Sequence, residues 1–171
     1  MLDTVTRYLS HLGSSSDARN LGHILRGVAR RVSCQMLNSA GLVIKAGASA
    51  LVKTGASASH AMVQGVLRSI AASTDMAALA GTVTNAKFNV FVYYIDASGT
   101  LTSQMGTEGA TLAAVVFPAT PPAVTVVGFS IINPTGAGNF VGGTTAFDDG
   151  TVVPTAVHVS VVGGFDPSIK A

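Results

Sequence analysis

The sequence predicts a mainly β protein, an antiparallel β-sandwich of jelly-roll-like form, preceded by a short α-helical arm. Three observations carry this. Before residue 38 the apolar residues recur at helical spacing, and after it they alternate with a period of two. The clearest run, KFNVFVYYIDASGTLTSQM, is β-branched and aromatic around a turn. Short strand patterns then repeat at near-regular spacing between Gly and Pro turns. Residues 1–37 are therefore the arm, and residues 38–171 the β domain.

In the arm, Leu2, Val5, Leu9 and Leu12 mark one helical face, which GSSSD interrupts. Ser14 and Asp17 have the spacing of a capping box, satisfying orphan N–H groups at the start of a second helix. In that helix Leu21, Leu25, Val28, Val32 and Met36 fall on one stripe, with Arg19, His23, Arg26 and Arg30 opposite. Gly22 and Gly27 each cost up to about 1 kcal/mol, so the helix depends on docking. The predicted docking arm is Arg19, Leu21, Leu25, Arg26, Val28, Arg30, Arg31 and Val32. A basic amphipathic helix also suits a membrane surface, but this one lacks Trp, Phe and Lys. Arginines pairing the acids of a neighbouring protein are the preferred reading, with no membrane partner.

In the β domain, LVIKA and ALVKTG are short strands, and KAGASA at 45–50 returns as KTGASA at 53–58, which fits two successive strands or a hairpin. HAMV, Gln64-Gly65 and VLRSI form a second hairpin, although Gln-Gly is a weaker turn than Asn-Gly. AASTDMAALA at 71–80 reads equally as a helical turn or a loop. Beyond it, Gly99 supplies the positive φ of a third hairpin. Both faces of that hairpin's first strand, Phe88/Val90/Val92/Tyr94 and Phe91/Tyr93/Ile95, are apolar, so it is covered on both sides, in a sandwich core or at a subunit contact. TLAAVVF, AVTVVGFSII and TAVHVSVV are three further strands; in the last, His158 lies on the face of Ala156 and Ser160.

Composition narrows the function. Hydrophobic residues make up 48% and charged residues only 11% of 171, against about 25% charged in an ordinary soluble domain. A surface so poor in charge is commonly covered by partners or by copies of itself. The net charge of +2 and the absence of Trp argue against nucleic acid. The single cysteine, Cys34, excludes an internal disulfide and a cysteine-based zinc site. MLDTVTRYLSHLGSSSD lacks the basic start and apolar run of a signal peptide. The uncharged segment 109–147 is broken by Pro118, Pro121, Pro122 and Pro134, so no apolar run reaches the roughly 20 residues of a spanning helix.

The glycine-rich stretch FSIINPTGAGNFVGGTTAFDDG, residues 129–150, poses the sharpest chemical question. It has no lysine for a P-loop, and its G-x-G is out of register for a dinucleotide motif. Asp148 and Asp149 are adjacent, which suits a solvated turn and not an acid–base pair. The stretch reads as a loop joining strands, with Asn133, Gly136, Asn139 and Phe140 as a contact loop. His11, His23, His60 and His158 have no metal-ligand spacing, and no nucleophile motif accompanies them. No catalytic, cofactor or metal residue is expected, and the chain is not expected to be an enzyme.

MGTEGATLAAVVFP, GFSIINPTG and FVGGTTAFDDGTVVP are the most specific elements of a pattern over residues 38–168. That pattern resembles small virion structural proteins of tailed bacteriophages, including capsid-decoration proteins. The resemblance implies a β-rich, non-enzymatic protein on the virion, made in the bacterial host cytoplasm. The function expected is capsid decoration or cementing on the capsid surface, with the major capsid protein and copies of itself as partners. A tail or fibre component, receptor-binding in some cases, is the alternative; scarce aromatics count against its sugar-stacking loops.

Overall fold

The computed structural model of the chain describes residues 15–165. The expected first helix at 2–12 and Ser14 of the capping box lie outside them. In chain order the elements are α1 (Ser15–Ser33), β1 (Gln35–Met36), β2 (Val43–Ile44), β3 (Val52–Lys53), β4 (Ser59–Val63), β5 (Val66–Ile70) and β6 (Thr82–Val83). There follow β7 (Asn89–Asp96), β8 (Leu101–Met105), a 3-10 turn (Leu112–Ala114), β9 (Val124–Ile132), β10 (Phe140–Val141) and β11 (Val157–Ser160). Helix α1 stops at Ser33, and Met36, expected on the helical stripe, is a buried residue of β1.

Two antiparallel sheets pack face to face as a sandwich. One has the order β11-β9-β7-β8, the other β1-β4-β5. β1 and β4 lie against β9, and β4 also against β7. Between them sit Phe91, Tyr93, Ile95, Val127 and Ile132 from the larger sheet, with Met36, Ala61, Val63 and Ile70 from the smaller. The Thr125 hydroxyl in β9 donates to the Met62 carbonyl in β4 at 2.6 Å, a polar tie across the layers. At one edge the chain after β11 crosses over: Gly163 N–H donates to Met36 O at 2.8 Å, so the sheets join at a corner. The short pairs β2–β3 and β6–β10 flank the sandwich.

The hairpins arise where the turn chemistry placed them. Gln64 and Gly65 both take positive φ, 52° and 79°, between Val63 and its partner Val66. That is the double left-handed turn of a two-residue hairpin, whose twist matches the strands. Between β7 and β8 Asp96 Oδ1 accepts from Ser98 N, Ser98 Oγ and Thr100 N at 2.8, 2.6 and 2.9 Å, and Gly99 has φ 92°. β2 and β3 pair antiparallel, as the repeat at 45–58 suggested.

β7 is buried along almost its whole length. The smaller sheet covers the face of Phe91, Tyr93 and Ile95. Over the other face, Val92 and Tyr94 lie under Phe117, Phe129 and Val161. Cover on both sides thus comes from the chain itself. The segment 111–117, expected as a strand, is not one. It makes the 3-10 turn Leu112–Ala114 and a single bridge from Val116 to Thr107. No neighbouring strand offers it a ladder, and Phe117 instead packs edge-on against Phe129, with ring centroids 5.2 Å apart. AASTDMAALA is a loop: Thr54 N–H donates to Thr74 O at 2.9 Å and Met76 N–H to Val52 O at 2.8 Å, while Met76 and Leu79 are buried.

Candidate docking surface

Helix α1 is amphipathic, and nothing in the described chain covers its apolar side. Ile24, Leu25, Val28 and Val32 are 62%, 49%, 53% and 64% exposed. Leu21 is half-buried and Arg19 exposed. Arg26, Arg30 and Arg31 belong to the same helix, within Ser15–Ser33. The root of the helix is tied down. Gly65 N–H donates to the Ser33 carbonyl at 3.0 Å, satisfying one orphan carbonyl at the helix end, and Gln64 N–H donates to Cys34 Sγ at 3.4 Å. The β4–β5 turn therefore anchors the arm where it leaves the sandwich. This anchor escapes sequence reasoning, because it joins residues about thirty positions apart.

The glycine-rich stretch holds the chain together. Pro134 is buried, and Ala137 N–H donates to Thr151 O at 2.8 Å. Gly136 lies so close to this partner segment that a Cβ would stand 1.5 Å from the Thr151 carbonyl oxygen. Asn139 is exposed, and its Oδ1 accepts from Asn85 N at 2.9 Å. Asn133 is half-buried. Phe140, expected at the contact loop, is fully buried, with ring centroids 5.9 Å from Phe91 and 5.6 Å from Phe147. The exposed tip is instead Thr135, Ala137 and Asn139. Asp148 accepts from Ala48 N through both oxygens, at 3.1 and 3.0 Å, clamping the β2–β3 turn. Asp149 Oδ1 accepts from Thr151 N at 2.9 Å within its own turn. Both acids are thus turn residues. No cluster of three metal-ligating side chains occurs among the described residues.

One polar constellation was not legible beforehand. Ser130 Oγ in β9 lies 3.0 Å from Tyr93 Oη in β7 and 2.8 Å from His158 Nδ1 in β11. A serine bonded to a histidine is the first half of a nucleophilic site. Here Ser130 and Tyr93 are fully buried, and among the described residues Nε2 of His158 is buried with no partner and no carboxylate orients the imidazole. The trio instead bonds three neighbouring strands side by side, with Phe147 edge-on to the imidazole at 5.0 Å. The only hint in the sequence was a polar residue on an apolar strand face; the register that opposes His158 to Ser130 was needed to see the contact.

Titration follows from these environments. Burial pushes the Tyr93 phenol far up, against the smaller opposing effect of its bond to Ser130, and pushes the Tyr94 phenol up to about 12. The Ser98 hydroxyl and the Thr100 N–H hold the Asp96 carboxyl below its usual range. Glu108 is lowered by the Thr84 N–H, then by the Thr84 hydroxyl, with a smaller effect of Lys87. Burial lowers the His158 pKa. The unfolded chain therefore binds more protons than the folded one below about pH 6.5, and stability present above that value is lost as pH falls towards the folded pKa. Asp96 and Glu108 lose theirs lower, from about pH 4 downward. The urea midpoint is expected to fall between about pH 7.5 and pH 5, and His158→Phe is expected to flatten that slope. An unchanged slope in the variant would assign it to other groups.

No protein-family model, curated protein or solved structure matches the chain. Among the described residues no helix is long and apolar enough to cross a membrane.

Proposed function

We propose that the chain is a structural protein of a tailed-bacteriophage virion, a decoration or cement protein of the head shell. The observation that carries this is α1: a complete sandwich core beside a tethered helix whose apolar side the described chain leaves uncovered. Burying one such side chain fully contributes about 1.5–3 kcal/mol, so the helix is most stable against a partner. On the assembled shell the arm would lie over neighbouring major capsid subunits. A protein that binds the assembled lattice and not the free subunit stabilises the lattice by mass action. Val157 at the start of β11 and Val162 just after it, 49% and 62% exposed, offer a second contact for an adjacent copy.

Cryo-electron microscopy of intact particles is expected to place this chain in regular copies over the capsomers. Density confined to the tail or to one vertex would make it a tail or fibre component. In solution, Leu25→Asp is expected to weaken binding to purified shells by about tenfold or more, since it puts a charge into an apolar contact. Equal binding by wild type and variant would remove the arm from the interface.

A further inference from the structure

The Tyr93–Ser130–His158 trio joins a buried centre to a loosely held edge. β7 and β9 lie inside the four-stranded sheet, whereas β11 is paired on one side alone among the described strands, by β9. Its four residues are half-buried or exposed, against the almost wholly buried β7. Outside the sheet few bonds hold it. Ser160 Oγ accepts from Leu42 N at 2.8 Å, and Gly163 exchanges two backbone bonds with Met36, at 2.8 and 3.2 Å. Gly163 takes φ 84°, a torsion that suits glycine and lets the chain turn there.

Neutral His158 satisfies Nδ1 through Ser130 and leaves Nε2 buried without a partner. The imidazolium carries a proton on both nitrogens, so a buried N–H donor is left unmade in an apolar setting, edge-on to Phe147. β9 presents Ser130 to it, β7 presents Tyr93 beyond Ser130, and β11 carries no other titratable side chain. Asp148 and Asp149 follow Phe147 in the chain, yet the ion pair found among the described residues is Lys45–Asp75, and neither acid pairs with the imidazole. We infer that His158 is an acid-operated latch: its protonation promotes opening of residues 157–163 from β9 as a unit, with β7, β8 and β9 still folded. Local opening brings the imidazolium to water and gives up one strand's contacts, whereas global unfolding gives up the whole core. It also breaks the Gly163–Met36 corner and so frees β1 next to the end of α1. The latch does not depend on what the arm binds.

Hydrogen exchange of the full chain, read by mass spectrometry at about pH 7.5 and about pH 5 and corrected for the intrinsic pH dependence, tests it. Residues 157–163 are expected to be less protected than β7 and β8 at both values, and to lose protection by about threefold to about thirtyfold at the lower one. Thirtyfold is the ceiling, since about pH 5 lies about 1.5 pH units below the ordinary histidine pKa. Urea at about 0.5 M is expected to leave their exchange nearly unchanged, because opening one strand exposes little surface. His158→Phe and His158→Gln, which do not titrate, are each expected to abolish the pH dependence, and one folded variant suffices. Exchange of 157–163 that matches β7 and β8, or follows urea as steeply, would mean that the strand opens only with the whole domain. Protection unchanged at the lower pH, or lost equally in a variant, would remove His158 from the latch. Any of these results overturns the inference, and the wild-type results decide it if neither variant folds.

Discussion

Phe140→Ala is expected to lower the unfolding free energy by about 3–5 kcal/mol. Its ring is fully buried between Phe91 and Phe147, so truncation removes apolar burial and leaves a void that the two neighbouring rings fill only in part. Native domains have only about 5–15 kcal/mol in total, so a large share of the stability goes with one side chain. Asn139→Ala beside it removes one exposed side-chain bond to Asn85 N and is expected to cost about 1 kcal/mol or less. Urea unfolding of both variants, read as midpoints at a common slope, measures the contrast. A Phe140→Ala loss below about 0.5 kcal/mol would be surface behaviour and would contradict its place in the core.

Ser130→Ala is expected to cost about 2–4 kcal/mol, more than its small volume suggests. The hydroxyl serves two groups at once, the buried Tyr93 Oη and Nδ1 of the half-buried His158, and its loss leaves both without their bond. A buried donor or acceptor left unmade costs about 1–3 kcal/mol, whereas removing both partners is far cheaper. Tyr93→Phe alone is therefore expected to cost about 1 kcal/mol, since Ser130 keeps its bond to His158. The double variant should cost less than the sum by about 1 kcal/mol or more. Additivity within about 0.3–0.5 kcal/mol would show that the three groups do not act as a network.

Much of the fold is local in origin and was legible for that reason. The β4–β5 and β7–β8 hairpins follow from two-residue alternation around Gln64-Gly65 and around Asp96 to Gly99, between partners no more than 14 positions apart. β7 announced its double burial by being apolar on both faces, and α1 announced its stripe by helical spacing. The candidate surface was legible in part. Of the apolar residues expected on the arm, Leu25, Val28 and Val32 are exposed and Leu21 is half-buried, while Ile24, exposed beside them, was not among those expected. The arm's root on the β4–β5 turn was not legible.

The sequence by itself determined the helix, the hairpins, the two-faced central strand and the turn character of the glycine-rich stretch. These depend on backbone torsions and side-chain alternation, which act between near neighbours. Only the tertiary structure decided what each apolar residue meets. Phe140 looks like a loop residue among glycines and becomes core because β10 pairs with β6, which carries its ring to Phe91. The segment 111–117 has strand-forming residues but finds no ladder, because β-propensity is realised only beside a partner strand. The Tyr93–Ser130–His158 trio spans residues up to 65 positions apart and exists only once the register of β7, β9 and β11 is set. Strand register is a property of the assembled sheet, where a shift by one residue would turn every side chain to the other face.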